Sequence, residues 1–185
     1  MNTLAWLLPQ SSNTHKDTST YVLYTIGKGA QYCNKSTFVA TSYSKLSFAI
    51  KFDSTAIYNT ILAENQDDIN KLFGFSDNNA QHHQYSARFG WRWSSNALRL
   101  FGYTYNNSIR SSIELGTIAI GSENNCSIKV DSSLYVFTLN GKKINMPRES
   151  KTALAEGYKL FPYFGGDEFA PHAISVWIKE TTNGL

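Results

Sequence analysis

The stretch YSARFGWRWSSNALRLFGYTY spans residues 85–105. Its first nine residues repeat with period two. Tyr85, Ala87, Phe89, Trp91 and Trp93 fall on one side; Ser86, Arg88, Gly90 and Arg92 fall on the other. A helix would place its apolar residues three and four apart, whereas alternation is the pattern of a half-buried strand. After a short Ser-Ser-Asn turn the alternation resumes over Ala97–Tyr105, so the stretch reads as a β-hairpin. In this second strand Leu98 and Leu100 share one parity, and Arg99, Phe101, Tyr103 and Tyr105 share the other. If the leucines face the core, Arg88, Arg92, Arg99 and several rings form one outward surface. If the rings form the core set, the leucines pack under a loop. The residues leave both arrangements open.

The same period extends through the chain. Residues 21–26, 46–52, 57–62, 113–120, 126–130, 134–139, 142–146, 158–164 and 173–179 read as further strands. Asn140–Gly141 is a type I′ hairpin signal. Residues 63–71 (AENQDDINK) read as a short helix or loop, and no long amphipathic helix or internal repeat is visible. Roughly ten to twelve strands at this spacing predict an all-β, antiparallel two-sheet β-sandwich of the jelly-roll type, with a core about 10 Å thick. One domain over residues 20–181 is expected, preceded by a polar arm (1–19) and followed by a short tail (182–185).

Composition narrows the function classes. Charged residues are 17% of the chain, below the usual quarter, and the net charge is only +3 without a block of Lys and Arg, which argues against nucleic acid. No apolar run approaches the length of a spanning helix. The patch at Leu4–Leu8 is too short for a signal segment and Pro9 ends it. Cys33 and Cys126 have no metal-ligand spacing; they could pair, or could be two buried free thiols. The chain has no GxSxG, P-loop, dinucleotide or HExxH motif, and no cofactor is expected.

Three sets of side chains could carry chemistry. Residues 77–88 (DNNAQHHQYSAR) bring His82, His83, Tyr85 and Arg88 together in sequence. Abstracting a proton beside a sugar carboxylate calls for such a set, an Arg to neutralise the acid and a His or Tyr to move the proton. The bland alternative is a polar surface loop leading into a strand. The second set is the Arg/aromatic surface of Arg88, Arg92, Arg99, Tyr103 and Tyr105, joined by Trp177, whose parity opposes that of Ile174, Val176 and Ile178. Rings stack on the C–H faces of sugars, and guanidinium forks bind carboxylates or sulfates. The third set is carboxylates: Asp67, Asp68 and Asp77, or Asp167–Glu168, could join a calcium site, though no EF-hand spacing is present. GGDEFAPH (165–172) reads mainly as a turn, with glycines for special backbone conformations, Pro171 setting the next strand, and His172 bonding across to it.

The segments DDINKLFGFSD (67–77), HHQYSARFGWRW (82–93), YVFTLNGK (135–142) and GYKLFPYFGGDEFAPHAISVWI (157–178) resemble a family of concanavalin-like jelly-roll domains. Its members are of unassigned function and occur in surface and secreted proteins of gut Bacteroidetes and their phages. The resemblance covers about residues 20–180. It implies the jelly-roll fold and an extracellular, cell-surface or virion-associated location; it implies no catalytic residues.

The expectation is therefore a non-catalytic, lectin-like module that binds glycan through Arg88, Arg92, Arg99, Tyr103, Tyr105, Trp177 and His83. The alternatives are a polysaccharide lyase using Tyr85 or His83 with Arg88, and a structural or adhesion sandwich.

Overall fold

The computed structural model describes residues 20–181. The polar arm and tail expected at 1–19 and 182–185 lie outside the described residues. Twelve strands form two antiparallel six-stranded sheets. In chain order they are β1 (Val22–Ile26), β2 (Ala40–Tyr43), β3 (Lys45–Phe52), β4 (Asn70–Ser76), β5 (Ser86–Ser94), β6 (Ala97–Asn106), β7 (Ile109–Ile118), β8 (Asn124–Asp131), β9 (Leu134–Leu139), β10 (Lys142–Pro147), β11 (Ala155–Leu160) and β12 (Ile174–Glu180). One sheet runs β1-β12-β3-β8-β9-β10 and the other β2-β11-β4-β5-β6-β7. The architecture is the jelly-roll sandwich that the alternation predicts.

The inner faces make the core. Phe89 meets Phe48 and Phe137 from the opposite sheet at 5.5 and 5.4 Å between ring centres, and Trp91 meets Phe52 at 5.2 Å. Leu98 and Leu100 also point inward and are fully buried. This decides the question left by the hairpin: the leucines face the core, and Arg99, Phe101, Tyr103 and Tyr105 face out. Each ring of this size contributes about 2–3 kcal/mol by leaving water. The hairpin closes through Ser95 and Asn96, both at positive φ (51° and 54°), a turn whose twist suits the flanking strands. Asn140–Gly141 closes β9–β10 in the same way, at 48° and 88°.

Three strand assignments change. Residues 57–62 are irregular rather than a strand. Conversely, β4 sits at the centre of its sheet, where the sequence suggested nothing regular. A bulge between Lys71 and Gly74 shifts its register against β5, so Leu72, Phe73 and Phe75 are all fully buried and the period of two is erased. Short β2 was also missed, since ATSY carries no clear alternation.

The GGDEFAPH turn is architectural. Gly165 lies at φ +107°, and a Cβ on Gly166 would sit 1.8 Å from an Asp68 carboxylate oxygen. The Glu168 carboxylate accepts hydrogen bonds from the amides of Ile61 and Leu62, both at 2.8 Å, and from Asn65 at 2.9 Å. His172 Nε2 donates to Thr55 O at 2.8 Å. At the far end of the sandwich a buried ion pair fixes residues 148–154. Asp77 accepts from Arg148 Nε at 2.8 Å and from the Tyr135 hydroxyl at 2.6 Å. Cys33 and Cys126 are buried free thiols.

Candidate functional site

The outward positions of β4, β5 and β6 form the floor of a groove of about 550 Å³. Lys71, Arg88, Tyr103 and Tyr105 project into it; the 32–38 segment, the 158–163 segment, His82, His83 and Arg110 wall it. Gly74 lies directly opposite Arg88 in the register. A Cβ there would come within 2.4 Å of Arg88 Cβ and 2.2 Å of the Ala87 carbonyl oxygen, so glycine keeps this part of the floor clear.

Arg88 is the unusual group. It is only 6% exposed, yet among the described residues it has no carboxylate partner, and its Nε has no hydrogen-bond partner. Its one defined contact is with the Tyr103 ring, 5.5 Å from the guanidinium carbon to the centroid. Burial pushes its pKa down to about 10, and the surrounding tyrosine hydroxyls offset this in part. It remains a cation at neutral pH. Lys71 approaches the same ring at 5.4 Å and donates from Nζ to Gly165 O at 2.7 Å. Burial first, then the Arg88 charge, lower its pKa to about 8, with Asp68 opposing and Arg110 adding to the fall. None of the described residues lining the groove is an aspartate or glutamate.

Two further cations line the wall, Arg110 and Lys159, the latter ion-paired to Glu180 at 2.8 Å. Burial, Arg88 and His83 bring the His82 pKa down to about 4. The His82 amide donates to the Tyr158 oxygen at 3.0 Å, which leaves the phenol proton free to be donated to His82 Nδ1 at 2.9 Å. His83 is exposed, stacks on Tyr105 at 5.2 Å and has its pKa lowered by burial and then by Arg88. Tyr103 is pushed up to about 12 by burial and by its hydrogen bond with Tyr105, so it stays a phenol. At the mouth, Tyr32 and Phe38 expose most of their surface and pack against Tyr163 and Tyr158 respectively.

Of the residues singled out in the sequence, His82, His83, Arg88, Tyr103 and Tyr105 line this groove. Arg92 and Arg99 share the outer face but lie beyond the groove and have their own counter-charges. Arg92 reaches Asp67, its Nη1 donating to the backbone oxygen at 2.6 Å, and it stacks on Phe101; Arg99 pairs with Glu114 at 2.9 Å. Trp177 is separated from the groove altogether: it faces outward, but from β12 of the other sheet, between β1 and β3. Parity tells which side of a sheet a residue takes, not which sheet it joins. Tyr85 does not line the groove either. Lys71 escaped notice because the bulge hid its strand; Tyr158 and Tyr163 fall in the expected strand 158–164, but nothing in the sequence ties that strand to the Arg88 face. The outward parity of Tyr158 on β11 was the one available signal.

Three of the five carboxylates considered for calcium have protein partners. Asp77 is held by Arg148 and Tyr135, Asp67 by Arg92, and Glu168 by two amides. Among the described residues no three His, Cys, Asp or Glu side chains gather as a metal cluster.

No family model matches the chain, and no curated protein matches it in sequence. Solved structures do match in fold. An alginate lyase from a Chlorella virus superimposes with a TM-score of 0.51 at 12% identity, covering 89% of this chain and 87% of the lyase. The alginate lyase AlyC3 gives 0.57 at 8% identity, over 85% and 72%. A Bacteroides ovatus glycoside hydrolase of family 16, from a mixed-linkage glucan utilisation locus and bound to product, gives 0.55 at 15% identity, over 87% and 79%. At these identities the likeness is one of fold, the concanavalin-like jelly roll.

Proposed function

We propose that the protein binds an acidic, uronate-bearing glycan in this groove, at a cell surface or outside the cell. One observation carries the reading: Arg88 is a buried cation with no counter-charge among the described residues, on the floor of an open groove lined by tyrosines. A buried charge is tolerated when something pairs with it. A sugar carboxylate would supply the anion, and the planar guanidinium can hold both its oxygens. The exposed rings of Tyr32 and Phe38 offer stacking surfaces for neighbouring sugars. Two facts about the fold neighbours are consistent with this reading: several are alginate lyases, and AlyC3 has been solved with dimannuronate.

The test is a glycan array followed by calorimetry with oligomannuronate, oligoguluronate and oligogalacturonate, on the native protein and on Arg88→Ala and Tyr103→Ala. Binding that both substitutions weaken supports the proposal. An absence of binding to every acidic glycan, or binding indifferent to both, overturns it.

A catalytic reading is favoured by the His82–Tyr158 hydrogen bond beside Arg88. In a β-elimination, Arg88 would neutralise the carboxylate. The Tyr158 oxygen would take the C5 proton as its own proton passes to His82 Nδ1. The C4–O bond would break, C4=C5 would form, and the leaving oxygen would regain a proton from the same pair. The groove lining lacks the two carboxylates that most glycoside hydrolases use. Continuous absorbance from an unsaturated uronate product, abolished by Tyr158→Phe, supports elimination. Tight binding without product across alginate, pectate and glucuronan leaves the protein a binding module.

A further inference from the structure

We propose that Lys71 is the second cation of the acid-group site and that it takes up a proton as an acidic sugar binds. The inference rests on the acidic-glycan reading and concerns how that site is charged. Lys71 and Arg88 flank one ring, Tyr103, at 5.4 and 5.5 Å from its centroid. Two cations drawn to one ring repel each other, and the groove lining contains no carboxylate to relieve them. Lys71 cannot swing away cheaply, because Nζ is tied to the backbone oxygen of Gly165 at 2.7 Å.

The groups facing Lys71 come from each neighbouring element. Asp68 precedes β4, Arg88 stands on β5, Tyr103 and Tyr105 on β6, and Arg110 on β7. His82 and His83 lie in the loop before β5, and Tyr158, Tyr163 and the cationic Lys159 of β11 on the wall. Of these only Asp68 carries a negative charge, and it does not line the groove. Burial and the two arginines together hold Lys71 near 8, against an ordinary lysine value of 10.5. A carboxylate placed between Lys71 and Arg88 favours the ammonium form and raises that value. The sign follows. Below pH 8 the amine is already charged and binding is full. As pH rises through 8, a growing share of free protein must first gain a proton, so affinity falls until the bound-state value is passed. Arg88 titrates about two units higher, near 10, so the window from pH 7 to 9 belongs to Lys71.

The experiment is calorimetry of tetramannuronate, tetraguluronate and tetragalacturonate at pH 7, 8 and 9, each in two buffers of different ionisation enthalpy. Net proton uptake on binding at pH 8, with affinity falling several-fold by pH 9, is expected. Lys71→Arg, which stays charged, should retain binding and lose both the proton uptake and the pH slope. Lys71→Met should bind more weakly and without slope. A second readout needs no ligand: the lysine Nζ resonance missing from Lys71→Arg should titrate near pH 8 in the free protein. Binding with an unchanged slope in Lys71→Arg, or a Lys71 titration above pH 10, overturns the inference while leaving acidic-glycan binding intact. No binding of any of the three oligouronates at any pH overturns the underlying reading, and this inference with it.

Discussion

Two buried arginines at different places in this fold are surrounded in opposite ways. Arg148 is 5% exposed and Arg88 is 6% exposed. Arg148 is ion-paired to Asp77 through Nε at 2.8 Å, and it donates further to the carbonyl oxygens of Ser132, Thr152 and Leu154 at 3.2, 2.8 and 3.2 Å. Arg88 has a ring on one side and open groove on the other. The first arrangement ties the 148–154 segment to the end of the sandwich. The second leaves desolvation uncompensated, which is what a site kept ready for an anion looks like. Burial of a charge alone is therefore silent about role; the partners decide it.

The sharpest way to break the contrast is to remove one partner from each site. Asp77→Asn strands Arg148 without its anion and is expected to lower stability by about 3–5 kcal/mol in urea unfolding. Arg88→Met removes a cation that nothing neutralises. Its stability should rise by about 1–2 kcal/mol while oligouronate binding falls about 100-fold, ~3 kcal/mol. A loss of stability in Arg88→Met comparable to that of Asp77→Asn would make Arg88 structural and dissolve the comparison. Gly74→Ala comes next. Its Cβ would meet backbone at 2.2 Å and push Arg88, so stability should fall by about 2 kcal/mol and binding should weaken, both read on the same instruments.

The ion-paired arginines sharpen the picture from the other side. Arg92→Ala and Arg99→Ala should each change stability by less than about 1 kcal/mol, since their partners are partly exposed, and should change binding by less than ~2-fold. The smallest effect concerns the turn. Two amides and Asn65 hold the Glu168 carboxyl below its ordinary pKa. Its stabilisation is present above the ordinary carboxylate range and fades as pH falls through the lowered value. Amide protection factors at Ile61 and Leu62 should drop on acidification, and should be low at all pH values in Glu168→Gln.

Much of this was legible in the sequence, but unevenly. The parity of β5 and β12 was correct residue by residue, because a strand without a bulge sends successive side chains to opposite faces. β4 was invisible because its bulge puts Leu72, Phe73 and Phe75 all into the core. With β4 went Lys71. Three of the seven expected site residues lie away from the groove, two of them for a related reason. Arg92 and Arg99 do lie on the Arg88 face, but the 3-10 turn at Ala63–Asp67 brings Asp67 to Arg92, and β7 brings Glu114 to Arg99. Those neighbours are 25 and 15 residues away in the chain, and no local pattern announces them.

The sequence by itself determined the all-β class, the hairpins at Ser95–Asn96 and Asn140–Gly141, and the side of the sheet that most residues take. These are local properties, set by a period of two and by turn residues that accept positive φ. Only the tertiary structure decided which outward residues share a groove, that Trp177 looks away from it, and that Arg88 lacks a counter-charge where Arg148 has one. Those facts depend on which strands become neighbours and on what long-range loops bring to them. Charge pairing is a property of distances in space, which a one-dimensional pattern does not encode.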